Sequence, residues 1–133
     1  MMGNNLILKL GNLDATRDFN FVQDTVNGMI AFLGNTETFG EVINLGTGTE
    51  ISIGEVVKVI SDIMGQQVEV QIEEQRMRPE KSEVERLCAS NVKAKNILSW
   101  SSEYSLRQGL EVTCEWFKNH SRDHGRKGVE YVI

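Results

Sequence analysis

The sequence predicts a mixed α/β domain (α+β in arrangement), with short strands and four helices and without a complete nucleotide-binding βαβ core. Three features carry this. Ser52 and Glu55 form an S-x-x-E capping box ahead of an apolar stripe at helical spacing: Ile53, Val56, Val57, Ile60, Ile63 and Met64. Val68, Val70 and Ile72 alternate with polar residues, as a half-buried strand does. Ser105 and Gln108 form a second capping box, opening a helix with Leu106, Leu110, Thr113 and Phe117 on one face.

The other elements follow in chain order. LILKL, Leu6 to Leu10, reads as a strand, followed by the loop GNLDATRD. Phe19 to Val22 alternates apolar and polar like a short strand, with Phe19 and Phe21 turned inward. Asp24 is placed to N-cap the next helix, in which Val26, Met29, Ile30 and Leu33 share a face and Gly34 closes the last turn. EVINL, Glu41 to Leu45, reads as a short buried strand, and Gly65 ends the capped helix begun at Ser52. A charged stretch from Glu73 to Glu85 holds the only proline, Pro79, which biases Arg78 toward an extended conformation. Leu87 to Ala89 reads as a strand, and Ser90 as the cap of a short helix through Leu98. Residues 1–120 form the expected domain, and 121–133 a polar, glycine-containing tail.

A chain of 133 residues has room for one moderate core. No apolar run approaches the ~20 residues of a membrane span. The N-terminus MMGNNLILKL lacks the basic and small-residue features of a signal peptide, so a cytoplasmic location is expected. Cys88 and Cys114 have no metal or redox spacing and are expected as small buried hydrophobes. The net charge of −5 argues against a nucleic-acid binder. Yet Arg76, Arg78, Lys81 and Arg86 fall within eleven positions, a local excess suited to a small anion.

LGTGTEIS, Leu45 to Ser52, sets Gly46 and Gly48 between a strand and a helix, where a dinucleotide loop would lie. Ile51 stands where the third glycine belongs, so the stretch is read as a tight turn and not as an NAD site. His120 and His124 are four apart but have no third ligand, and no metal site is expected. Arg17 and Arg78 each offer a rigid fork of donors that matches a phosphate, and Glu83 can accept from a ribose diol or a base amide.

Taken together, four stretches resemble the C-terminal part of the NAD-dependent nucleotide-sugar epimerase/dehydratase family, the extended short-chain dehydrogenases. RDFNFVQD, from Arg17, is similar to its R-D-aromatic-x-aromatic-V-x-D signature. The longer LGNLDATRD is most similar to GDP-mannose 4,6-dehydratase-like and N-acetylhexosamine 4,6-dehydratase-like members. INLGTGTEISIGEVV, from Ile43, resembles the family's N-x-G turn and capped helix. RPEKSEVERLCASNVKAKNILSW, Arg78 to Trp100, resembles its R-P…K-A…L-x-W ending.

The resemblance implies roles. Arg17 inherits contact with the substrate diphosphate, Arg78 contact with the nucleotide phosphates or ribose, and Glu83 the ribose or base. It also implies a substrate-binding lobe for a nucleotide diphosphate-sugar, with the Rossmann domain of the intact family absent. In that family NAD removes a hydride from sugar C4, water leaves across C5 and C6, and the hydride returns at C6. The T-G-x-x-G-x-x-G and Y-x-x-x-K motifs for that chemistry do not occur here; Tyr104 is followed at the fourth place by Gln108, and Tyr131 by nothing. No catalytic residue and no bound NAD are therefore expected of this chain. It is expected to be an expressed part, a proteolytic remnant or a truncated reading frame, with a face that meets a dinucleotide domain or a second copy. The alternative is a stand-alone, non-catalytic protein-interaction module derived from that lobe.

Overall fold

The computed structural model describes residues 6–76 and 84–120. Nine regular elements follow in order: β1 (Leu6–Leu10), β2 (Thr16–Arg17), α1 (Val22–Ala31), β3 (Ile51–Ser52), α2 (Ile53–Met64), β4 (Val68–Ile72), β5 (Arg86–Leu87), α3 (Val92–Leu98) and α4 (Leu106–His120). Single 3-10 turns lie at Thr36–Thr38 and Glu74–Arg76. The strands form two small sheets. β1 runs parallel to β4 with Leu6 opposite Val68 and Leu10 opposite Ile72. β2 lies between β3, antiparallel, and β5, parallel.

Both capping boxes form. Ser52 Oγ accepts from Glu55 N at 3.2 Å while Glu55 Oε2 accepts from Ser52 N at 3.1 Å. Ser105 and Gln108 repeat the exchange at the start of α4. These pairs satisfy amides that a helix start otherwise leaves without intrahelical partners. Gly65, at φ 64°, closes α2 in the left-handed conformation. α2 and α4 pack together, and Arg107 of α4 bridges them by an ion pair to Asp62 at 2.6 Å.

Three expected elements differ. Phe19 to Val22 is not a strand: α1 already begins at Val22, with Phe21 at its cap position and no side-chain cap. The alternation there reflects side-chain packing, since Phe21 lies 4.6 Å ring to ring from Tyr104 and against Gly109. Asp24 therefore does not cap α1. It sits inside the first turn, 1% exposed, and its two oxygens accept from the main-chain amides of Glu103 (3.0 Å) and Tyr104 (3.2 Å). EVINL is not a strand either. No partner pairs with it among the described residues, and Val42 is exposed. The cap position of α3 falls to Asn91, not Ser90, and the Asn91 side chain is used elsewhere.

The interior is small. Among the described residues, Ala15, Ala94, Trp100 and Cys114 are its buried apolar side chains, with Asp24, Thr38, Gly28, Gly46 and Gly109 also buried. Cys88, expected inside, is exposed because β5 lies at the margin of its sheet; both cysteines are free thiols. The helical stripe on α1 faces outward: Val22, Val26, Met29 and Ile30 are all exposed, and Leu33 just beyond the helix is 79% exposed. No helix among the described residues is long and apolar enough to cross a membrane.

Candidate functional site

The residues from Thr16 to Asp18 run through the middle of the three-stranded sheet. Thr16 N donates to Glu85 O at 2.8 Å and Asp18 N to Leu87 O at 2.9 Å, so β2 is zipped along the chain that enters β5. Arg17 is half-buried, and its Nη1 donates to the carbonyls of Thr16 (2.7 Å) and Glu85 (3.4 Å). The guanidinium is thus held against the chain that enters β5. Arg78 and Glu83 themselves, with Lys81, lie outside the described residues.

Of the basic cluster at positions 76–86, the two described arginines, Arg76 and Arg86, both meet carboxylates. Arg86 Nε donates to Glu50 Oε2 at 2.5 Å, and the same oxygen accepts from Thr16 Oγ1 at 3.1 Å. The hydrogen bond from Arg86 is the main reason the Glu50 carboxyl titrates below its ordinary value, and Glu50 in turn raises Arg86. Arg76 Nε donates to Glu73 at 2.7 Å, and Lys9 reaches the other oxygen of Glu73 at 3.2 Å. Arg76 and Arg86 are therefore compensated within the fold.

Asp18 was missed by sequence reasoning. Its Oδ1 accepts from the amide of Thr47 at 3.0 Å and from the Thr47 hydroxyl at 2.5 Å; its Oδ2 accepts from the amides of Gly48 (2.9 Å) and Ala89 (3.3 Å). The G-x-G turn does gather amides around an anion, but that anion is this internal carboxylate. The two glycines serve different ends. A Cβ on Gly46 would stand 2.4 Å from the Ala89 Cβ and 2.8 Å from Asp18 Oδ2, while Gly48 takes φ +75°. From the other side Asn91 Nδ2 donates to the carbonyls of Gly46 and Thr47, each at 3.1 Å. The sequence signal was present in the R-D of the signature, but nothing local pairs residue 18 with 47, 48 and 89.

A cleft of about 500 Å3 opens beside this turn, lined by Phe19, Thr47, Thr49, Glu50, Glu55 and Tyr104 among others. Tyr104 is a packing residue against Phe21, and Gln108 is spent on the cap of α4. His120 stacks on Trp116 at 4.5 Å with its Nδ1 2.8 Å from the Trp116 carbonyl; His124 lies outside the described residues. No group of three metal-ligating side chains occurs among the described residues.

The comparisons with known proteins agree with this fold. The family profile described as GDP-mannose 4,6 dehydratase matches residues 1–113. The chain is 30% identical over 110 residues to the GDP-6-deoxy-D-mannose reductase of Pseudomonas aeruginosa, covering 82% of this chain and 35% of that protein. An epimerase structure from Methanothermobacter thermautotrophicus superposes with a TM-score of 0.80 at 33% identity, over 90% of this chain and 35% of that one. A UDP-glucuronic acid 4-epimerase variant from Bacillus cereus, solved with UDP-4-deoxy-4-fluoro-glucuronic acid and NAD, gives 0.72 at 28% identity, over 86% and 35%. The chain thus spans about a third of the length of these relatives. With the motif order and the fold in agreement, the chain belongs to the GDP-mannose 4,6 dehydratase family, among the NAD-dependent nucleotide-sugar epimerases and dehydratases.

Proposed function

We propose that this chain supplies the nucleotide-diphosphate contacts of a nucleotide-sugar 4,6-dehydratase or epimerase and carries out no hydride transfer by itself. Arg17 meets the diphosphate, Arg78 the phosphates or ribose, and Glu83 the ribose or base. One observation carries the reading: β2 pairs with β5 and the Arg17 guanidinium rests on the Glu85 carbonyl, two residues after Glu83 in the chain. This brings Arg17 against Glu85, which lies 68 positions away in sequence and closely follows the stretch that carries the other two candidates. The ligands held by the Bacillus cereus relative support the substrate class.

NAD is the cofactor of the intact family, but the residues described here do not fit it. The amides of the G-x-G turn are turned onto Asp18, which leaves no pyrophosphate cradle there. In this reading residues 1–120 are the substrate lobe of a cytoplasmic enzyme and 121–133 its tail. The outward stripe of Val22, Val26, Met29 and Ile30 is where a dinucleotide-binding half packs, since a continuous apolar helix face of this kind is rarely left in water. The same stripe also favours a second reading, a stand-alone module that uses this face for a protein partner.

Calorimetry with UDP, GDP and dTDP tests the first reading. Weak binding by the chain is expected, because such sites lie between two domains. Arg17→Ala and Arg78→Ala should each weaken it. Unchanged affinity in both variants defeats the assignment and leaves the partner-binding reading.

A further inference from the structure

The structure assigns Asp18 the task of positioning Arg17, as an internal anion that clamps the strand of Arg17 to the G-x-G turn and to the end of β5. This rests on the reading of Arg17 as the diphosphate contact. The geometry is that of an occupied anion site. Three main-chain amides, from Thr47, Gly48 and Ala89, and one hydroxyl, from Thr47, converge on a single carboxylate. Successive amides aimed at one point form a concavity that favours negative charge. Each such bond to an ionised acceptor is stronger than a neutral one.

The three segments that meet there are distant in sequence, and each is fixed on its other side. The turn is held through its carbonyls by Asn91, and Gly46 has no Cβ to keep Asp18 or Ala89 away. The Asp18 amide donates to Leu87. Asp18 is therefore pinned by main chain and side chain together, one residue after Arg17, and side chains of neighbouring residues on an extended strand point to opposite faces. Removal of the carboxylate leaves three amides converging with no acceptor, so the turn relaxes and the strand carrying Arg17 loses its anchor. The vacated space matches a small carboxylate.

The test uses the full chain as Asp18→Ala, Asp18→Asn and Arg17→Ala, with formate as the probe. Two readouts are taken: calorimetric affinity for GDP, and the NMR resonance of the Arg17 Nε–H group. Asp18→Ala is expected to weaken GDP binding roughly tenfold, the scale of one charge-assisted hydrogen bond. It should also displace the Arg17 resonance, and formate should return both toward wild type. A merely structural staple would lower the melting temperature and leave the resonance in place. A wild-type resonance in Asp18→Ala, or a displaced one that formate does not move, overturns the proposal. If Asp18→Ala does not fold even in formate, Asp18→Asn decides: its Arg17 resonance is displaced if Asp18 positions Arg17 and unchanged if it does not. Unaltered GDP affinity in Arg17→Ala defeats the diphosphate reading instead, and the resonance still decides the role of Asp18.

Discussion

The indole N–H of Trp100 donates to the main-chain carbonyl of Asp24 at 3.0 Å, 76 residues away in sequence. Both residues are buried, and the Asp24 side chain meanwhile holds the amides of Glu103 and Tyr104. One residue of α1 thus binds the whole approach to α4. Trp100→Phe keeps most of the apolar volume but removes the indole donor, leaving the Asp24 carbonyl with its intrahelical bond alone, and should cost about 0.5–1.5 kcal/mol. Asp24→Ala leaves two amides without acceptors and should cost about 2–4 kcal/mol. Urea unfolding followed by far-UV circular dichroism checks both, with a lower midpoint at unchanged slope expected.

Gly46 should tolerate no side chain. Gly46→Ala drives a methyl into the Ala89 side chain and the Asp18 carboxylate, and overpacking of this kind costs about 1–3 kcal/mol. Ala89→Gly should recover part of that loss in the double variant, because it removes the nearest clashing atom. A double-mutant cycle measures the coupling, and purely additive losses would show that the contact is unimportant.

Local signals were legible in the sequence and distant ones were not. The two capping boxes, the Gly65 stop and the strands at residues 6–10 and 68–72 depend on neighbours within a few positions, and each formed where the pattern placed it. Asp24 shows the limit. Its position ahead of an apolar run is a good cap signal, but the amides it serves lie about 80 residues away and impose no pattern near residue 24. Glu41 to Leu45 has the composition of a strand, but a strand needs a partner, and composition does not supply one. The hydrogen bonds of Asp18 likewise form only when the turn and the chain past β5 converge, and nothing near residue 18 signals them.

Acid should weaken the fold through its paired carboxylates. Glu50, Glu55 and Glu73 all titrate below the ordinary value in the folded chain, held there chiefly by hydrogen bonds from Arg86, Ser52 and Arg76 respectively. A depressed folded pKa means that the native state favours the ionised form. The stabilisation is then fully present above the unfolded glutamate pKa of about 4.3 and is lost as pH falls through the lower folded values. Glu55 is exposed and Glu50 and Glu73 are half-buried at the surface, so each effect is small and screened by salt. Glu50→Gln should lower the melting temperature slightly in the neutral region, where the wild-type pair is ionised, and converge on wild type at low pH, so that the acid limb is flatter. An identical acid limb in that variant would show that the Glu50–Arg86 pair contributes nothing.

The apolar stripe on α1 should be neutral for folding and decisive for association. Met29 is 62% and Leu33 79% exposed, so Met29→Lys with Leu33→Lys removes almost no buried contact. Exposed substitutions of this kind fall within about ±0.5 kcal/mol. If the stripe is a docking face, the same pair places two charges where apolar surface has to be desolvated, and association should drop sharply. Sedimentation velocity of the chain alone reports self-association. Co-elution with the separately produced N-terminal half of a related epimerase reports docking on a dinucleotide domain. Loss of either complex in the double variant, at unchanged melting temperature, identifies which surface the stripe meets. Complexes that persist in both assays would place the docking face elsewhere on the chain.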